Sequence, residues 1–545
     1  MAIVRRTMTG REVSPHTERG VWAAAVAISL ATLWVYAPVV DYPFLTWDDV
    51  EYVAANPNLR APFGVESIAR AFTEKYESNW IPLTWISLHL DAALFGLDPA
   101  VYHAENVILH LAAALILLFA LSRATGSPGA SAFVAGVFAL HPLHVESVAW
   151  VAQRKDCLSG LFFALAVSLH LGGGRSPQAT RRAAVALAGG FSMLAKPVAV
   201  VLPLVLLLLD FWPLARVNWG ARGVQRRLIL EKWPLLLMAF LTSGMTVLAQ
   251  QTAGSLELLQ LPLSWRVMNA LWNYLAYLGM ALWPSGLSFY YTWPLDAWLP
   301  WKAGVSMVVM VALALGVLRA ARAERAVWVG ACWYVLTLLP VVGFVQVGMQ
   351  GRADRYMFWP LVGLAIAVGF GVRRAVASYP RARRVTPVVA VAALVALAGA
   401  SASQVHHWRS GVALYQRALD VTEENFFGHW ALGGELVLVG RADEADAHYR
   451  EAIRIRPRWF HPRRDLGLLL LQRGELANAS REFEGAVAVA PREAALRLLH
   501  AQTLWQLGEG DDAIRVLDDG LALVPPGDRA QLQRARDRLL VVEAR

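Results

Sequence analysis

Between residues 21 and 403 the chain is a succession of apolar runs joined by polar connectors, and each run is long enough to carry a helix across most of ~30 Å of hydrocarbon. The runs fall near 21–40, 102–122, 129–149, 157–172, 182–196, 197–213, 233–250, 302–318, 327–345, 354–372 and 385–403, which predicts about eleven transmembrane helices in an all-α membrane domain. Basic connectors set the topology. Arg123, then Arg175, Arg181 and Arg182, then Arg216, Arg222, Arg226, Arg227 and Lys232, then Arg319, Arg322 and Arg325, then Arg373, Arg374, Arg381, Arg383 and Arg384 mark successive cytoplasmic loops, alternating with loops poor in Lys and Arg. A further apolar stretch, 267–284, would break this alternation as a single crossing, because 251–301 holds only Arg266 as a basic residue besides its margins. It reads as re-entrant or interfacial, with Trp272, Trp283, Tyr274, Tyr277, Tyr290 and Tyr291 suited to headgroup level. Residues 1–20, with Arg5, Arg6, Arg11 and Arg19, form a cytoplasmic tail, and the first run is a retained helix, being too long for a signal peptide and lacking its cleavage site. Residues 41–101 form the first non-cytoplasmic loop, and an odd number of crossings puts everything after 403 on the same, periplasmic or lumenal, side.

From 404 to 545 the pattern turns polar, and it repeats. Gly440, Gly474 and Gly508 are spaced by 34, as are Pro457, Pro491 and Pro525, Ala445, Ala479 and Ala513, and the bulky Tyr449, Phe483 and Leu517. Small residues let paired helices approach, glycines permit the turn between them, and prolines stop the second helix. This resembles the tetratricopeptide repeat family, an α-solenoid unit, over roughly 410–540 with a partial first copy near Trp408 and Tyr415. Such arrays bind an extended peptide or a partner helix in a concave groove, or serve only to pack.

Composition sharpens this picture at three points. A hydrophobic fraction of 57%, a mean hydropathy of +0.42 and 22 Trp lie outside the range of a soluble domain. The net charge of +9 comes from arginines in connectors, so it reports topology and not nucleic-acid binding. Cys157 and Cys332 sit in apolar stretches at no paired or metal-ligand spacing.

The candidate chemistry gathers on the predicted non-cytoplasmic face. Asp48 and Asp49 follow the first helix, where a carboxylate at a low-dielectric boundary can be tuned for acid/base work or hold a cation. The same pair suits, equally well, a solvated turn in which Asp49 caps a helix over 50–55. The third run ends in His141, His144, Glu146, Arg154, Lys155 and Asp156, and ionisable residues beside apolar helices are costly and usually functional. Arg154 and Lys155 suit a phosphate, Glu146 can orient one of them, and His144 reads as acid/base or as a cap. Lys196 lies at the junction of two runs, and Arg352, Asp354, Arg355 and Tyr356 open another; each is also what a snorkelling or topological charge looks like. Cations beside paired carboxylates, opening toward lipid, are what a polyprenyl-phosphate donor needs. Two carboxylates without further oxygen ligands define no metal site, so a divalent metal stays open and metal independence is expected.

The order Trp47-Asp48-Asp49, Asn79-Trp-Ile-Pro-Leu-Thr84, His141-Pro-Leu-His-Val-Glu146 with Arg154 and Asp156, Ala195-Lys-Pro197 and Asp354-Arg-Tyr356, followed by tetratricopeptide repeats, resembles the transmembrane and TPR-containing O-mannosyltransferases, which are GT-C glycosyltransferases. The resemblance implies a multi-helix membrane domain, a first-loop acid as base and a polyprenyl-phosphate-linked sugar, mannose or another hexose, as donor. On this chain Asp48 or Asp49 becomes the base, and Arg154, Lys155, Lys196 or Arg355 stabilises the departing lipid phosphate, with His144, Glu146, Asp156 and Asp354 in support. It further implies a protein or glycan hydroxyl as acceptor, a peptide or protein partner at the repeats, and residence in a bacterial inner membrane or an ER-like membrane. The repeat array is much shorter than in larger family members, and beyond 251–301 no long extra lumenal loop stands out. The competing expectation is a non-enzymatic membrane scaffold whose repeats recruit envelope proteins.

Overall fold

Apolar runs fold as helices here because they leave backbone polar groups nowhere to go but onto each other. A computed structural model describes residues 15–77, 79–172, 177–217, 222–252, 261–293, 299–345 and 348–543; Arg5, Arg6, Arg11 and Arg175 lie outside the described residues. Among the described residues the chain is helical with no strand, only two isolated bridges, Tyr76 with Asn79 and Tyr291 with Arg352. It divides into two compact units, 1–410 and 411–545.

In the first unit the helix Pro15–Tyr36 turns Ala25, Ile28 and Val35 inward and leaves Trp22, Val26, Leu30 and Trp34 exposed. Pro380–His406 does the same, burying Ser401 and Val405 while exposing Val388, Val391 and Val395. Exposed stripes of this size are lipid-facing surface, and the chain is an integral membrane protein. Judged by length and apolarity, four helical stretches among the described residues can cross: Glu18–Asp41, Pro99–Thr125, Leu299–Ala321 and Pro380–Arg409. Six do so if each of two bent pairs is one span: Pro128–Leu140 with Pro142–Ala149, bent by 50°, and Val224–Leu230 with Trp233–Ala249, bent by 48°. Eleven crossings therefore require shorter helices to span as well. The runs that fall short are cut where proline or polar residues interrupt them: at Pro142, at Pro197, where a tight turn Pro197–Val201 precedes Leu202–Phe211, and at 354–357 before Pro360–Ala375.

The segment read as re-entrant or interfacial is one unbroken helix, Leu263–Leu282. Its inner face carries a polar seam. Asn273 donates to Val342 O (2.9 Å) and Gly351 O (2.8 Å), Asn269 to Gly351 O (3.2 Å) and Tyr277 Oη to Ala353 O (3.1 Å), so this helix clamps the irregular stretch that leads into Asp354.

The second unit is eight successive helices, Gly411–Val421, Phe426–Leu438, Ala442–Ile455, His461–Gln472, Leu476–Val489, Ala494–Gln506, Gly510–Leu523 and Pro526–Glu543, each packed on its neighbours. Gly440, Gly474 and Gly508 adopt φ of +79°, +78° and +83°, the left-handed conformation that ends a helix cheaply only at glycine. The 34-residue spacing also matches size across the core. Tyr449 and Phe483 lie against Gly433 and Gly467, whereas Leu517 shares its core with Ala501 at the equivalent place. A Cβ at Gly467 would sit 2.6 Å from the buried Phe483 ring. Gly467→Val is therefore expected to lower protection of amides in Leu476–Val489 by on the order of 2 kcal/mol in hydrogen exchange, overpacking outweighing the helix propensity gained.

Candidate active site

The first loop after the membrane-entering helix is built around Asp48 and Asp49, and their neighbouring side chains do different things. Asp49 is fully buried, and its two oxygens accept from the N–H groups of Leu45 (3.0 Å) and Ala152 (2.7 Å). It does not cap the following turn. It staples the first loop to the 150–153 segment, and Trp150 reinforces that joint by donating from Nε1 to Trp47 O (3.2 Å). Burial pushes the Asp49 carboxyl up to about 8, against the two N–H groups and Lys155, which hold it down.

Asp48 is only half-buried and holds φ at +58°. Aspartate tolerates this left-handed region better than most residues. The next turn, Val50–Ala54, is a wide one, closed by Ala55 N on Val50 O (2.7 Å), and such turns recur at functional sites. Burial raises the Asp48 carboxyl above its ordinary range, while Lys155 and Arg355 pull it back down. Glu77 too has positive φ, +48°, and burial followed by the Glu51 and Asp48 charges raises its carboxyl.

Residues 134–154 are buried without exception, and the broken helix there delivers the ionisable set. After the bend at His141 come the turn Pro142–His144, the short helix Val145–Ala149, a tight turn Val151–Gln153 and then Arg154–Leu171. Lys155 donates to Tyr52 Oη (3.1 Å), lies 4.6 Å from the Tyr52 ring centroid and, among the described residues, has no carboxylate within ion-pair distance. The charges acting on it are Asp48, Lys196, Arg355 and Asp156. Lys196 pairs with Asp156 (2.5 Å), whose other oxygen accepts from Ser147 Oγ (3.2 Å), and the turn carrying Lys196 is held by Thr84 Oγ1 on Ala195 O (2.9 Å). Glu146 accepts from the Arg355 backbone N–H (2.7 Å) and from its guanidinium, which also lies over the Trp150 ring at 5.6 Å. Asp354 is buried and accepts from Tyr291 Oη (2.8 Å). Asp48, Lys155, Lys196 and Arg355, with Glu146 and Asp156 behind them, thus form one neighbourhood.

Two expected members stand apart from it. Arg154, expected beside Lys155 at a phosphate, is fully buried and committed elsewhere: Nη1 to Asp91 (2.8 Å), Glu105 (2.6 Å) and Ser87 (2.9 Å), Nε to Asn106 (2.5 Å) and Nη2 to Tyr102 O (3.0 Å). His144 is buried among Phe138, Phe358 and His110, with Nδ1 on Phe138 O (2.6 Å), which makes it a core histidine. Tyr52, Glu77, Asp91 and Glu105 are site residues that the sequence reading does not single out, and Asn79 enters it only within the Asn79–Thr84 motif. Asp91 and Glu105, acids within apolar helical sequence, carried a readable signal; Tyr52 did not. Among the described residues no three His, Cys, Asp or Glu side chains gather as ligands for a metal.

With this geometry in place, comparison with known proteins is informative. Protein O-mannosyl-transferase TMTC1 of Homo sapiens is 25% identical over 84% of this chain, and protein O-mannosyl-transferase TMTC4 of Homo sapiens 25% identical over 78%. The chain resembles the protein O-mannosyl-transferases. It spans 58% of the first and 66% of the second, less than two thirds of either. The tetratricopeptide repeat family matches residues 470–539. The crystal structure of ArnT from Cupriavidus metallidurans bound to undecaprenyl phosphate aligns with 90% of this chain and 79% of its own at 16% identity, with a TM-score of 0.37, too low for any inference about the site.

Proposed function

We propose that the chain is a membrane glycosyltransferase that moves a sugar from a polyprenyl-phosphate donor to a hydroxyl of a protein or glycan on the non-cytoplasmic side. The observation that carries this reading is the proximity of a part-buried carboxylate, Asp48, to Lys155, a part-buried cation that, among the described residues, has no carboxylate within ion-pair distance. A cation partly withdrawn from water without a carboxylate in direct contact is costly, and a phosphate supplies the counter-charge. Asp48 takes the acceptor's hydroxyl proton; the oxygen attacks the anomeric carbon; the bond from that carbon to the phosphate oxygen breaks, and its electron pair leaves with the phosphate, which Lys155, Lys196 and Arg355 stabilise. Direct displacement inverts the anomeric centre. Asp49 and Arg154 are positioning residues in this scheme, holding the loop and the 150–156 segment. Eleven crossings with the repeats on the non-cytoplasmic side place the repeat array, read as a short solenoid, where it can bind an acceptor polypeptide. The similarity to protein O-mannosyl-transferases is what supports mannose as the sugar.

The pH profile of transfer tests the assignment of the base. Asp48 works when ionised, so kcat/KM falls on the acid side through a pKa above the ordinary aspartate value of about 3.9. Lys155 holds that pKa down, so Lys155→Met is expected to move the acid limb to higher pH and to raise the donor KM. A Lys155 that served packing alone would lower the rate and leave the limb in place.

A further inference from the structure

The helix Arg154–Leu171 carries a second polar cluster at its far end. His170 lies 15 residues beyond Lys155, roughly 22 Å along the axis, and so belongs to the opposite face of the helix array. There Asp210, fully buried, accepts from His170 Nε2 (3.0 Å), Arg216 (2.7 Å) and Lys232, while Glu231 accepts from Arg182 (2.5 Å) and Arg216 (2.6 Å) and has Arg227 at 3.6 Å. Arg181 lines the same cleft and donates to Gly172 O (2.8 Å).

Two observations point the same way. Five cations, Arg181, Arg182, Arg216, Arg227 and Lys232, face two carboxylates, an excess of three positive charges at a low-dielectric boundary, and the Arg182 side chain remains 39% exposed. The segment that follows the cleft exposes Ile229, Leu230, Trp233 and Leu237, an apolar apron beside the charges. Phosphate oxygens balance the first, and acyl chains cover the second.

We propose that this cleft binds the phosphate group of an anionic phospholipid, a site separate from the one at Asp48. Arg181 and Arg182 contact the phosphate, Arg216 and Lys232 are fixed beneath it by Asp210, and Trp233 sits at headgroup level.

The test uses the full chain in mild detergent, with native mass spectrometry reading phosphatidylglycerol against phosphatidylcholine. The wild type is expected to retain phosphatidylglycerol at least tenfold more tightly than phosphatidylcholine, and Arg181→Gln/Arg182→Gln to lose that preference. Inorganic phosphate displacing the lipid at equal concentration would assign the phosphate site to the free anion; displacement only at a large excess assigns it to the lipid. As a readout independent of the variant's folding, added salt at about 0.5 M should erase the wild-type preference. Equal retention of both lipids by the wild type, or an unchanged preference in a folded double variant, overturns the proposal.

Discussion

Asp48→Asn is expected to reduce sugar transfer by about 10²–10⁴-fold while the protein stays folded in the membrane. The substitution is a clean one for physical reasons. Asparagine occupies the left-handed region as readily as aspartate, so the φ of +58° is kept, and the side chain keeps its volume. Lost are the negative charge and the capacity to take a proton. Asp49 provides the contrast: its two oxygens accept from the Leu45 and Ala152 N–H groups, and an amide, with one oxygen, accepts from one of them and turns its NH₂ donor against the other. Asp49→Asn therefore acts on the joint between loop and broken helix, lowering stability by about 1–3 kcal/mol for the unsatisfied N–H. Thermal unfolding followed beside transfer separates the two: Asp48→Asn changes the rate and not the midpoint, and Asp49→Asn changes both.

Arg154→Ala is expected to be the most destabilising single change near the site, costing on the order of 3–5 kcal/mol, because it strands Asp91 and the partly buried Glu105 without their counter-charge. Arg154→Lys should recover little. One ammonium cannot reach Asp91, Glu105, Asn106, Ser87 and the Tyr102 carbonyl at once, as the planar guanidinium does. Lys155→Met, one residue on, should leave stability within about 1 kcal/mol of wild type, since among the described residues that side chain has no carboxylate in an ion pair to strand. Yield of folded protein after detergent extraction, and its unfolding midpoint, measure all three.

The contrast between Arg154 and Lys155 shows where the sequence stops being legible. Adjacent residues on a helix point about 100° apart, so two basic side chains side by side can face a closed acid network and an open site. Which one faces which depended on Asp91 and Glu105, some fifty to sixty positions earlier, and only the packing of Pro82–Phe95 and Pro99–Thr125 against Arg154–Leu171 brings them there. The same holds for Asp48 and Asp49, whose roles separate only when Ala152 arrives from another segment. Local patterns fared better. The repeat glycines at 440, 474 and 508 take the positive φ that their spacing asks for, and the exposed apolar stripes lie on helices that the hydropathy pattern had marked. The helix Leu263–Leu282 was marked in sequence only by its conflict with the basic-residue alternation; that Asn269 and Asn273 face inward onto backbone carbonyls and clamp the stretch before Asp354 shows only in the fold.

Transfer of radiolabelled mannose from polyprenyl-phosphate-mannose in membranes containing the full chain, wild type beside Asp48→Asn, tests the central claim most directly. The account predicts label in the protein or glycolipid fraction with wild-type membranes and background with Asp48→Asn; equal label in the two, or none from this donor or from other polyprenyl-phosphate sugars, would contradict it and leave a membrane-anchored repeat scaffold as the better description.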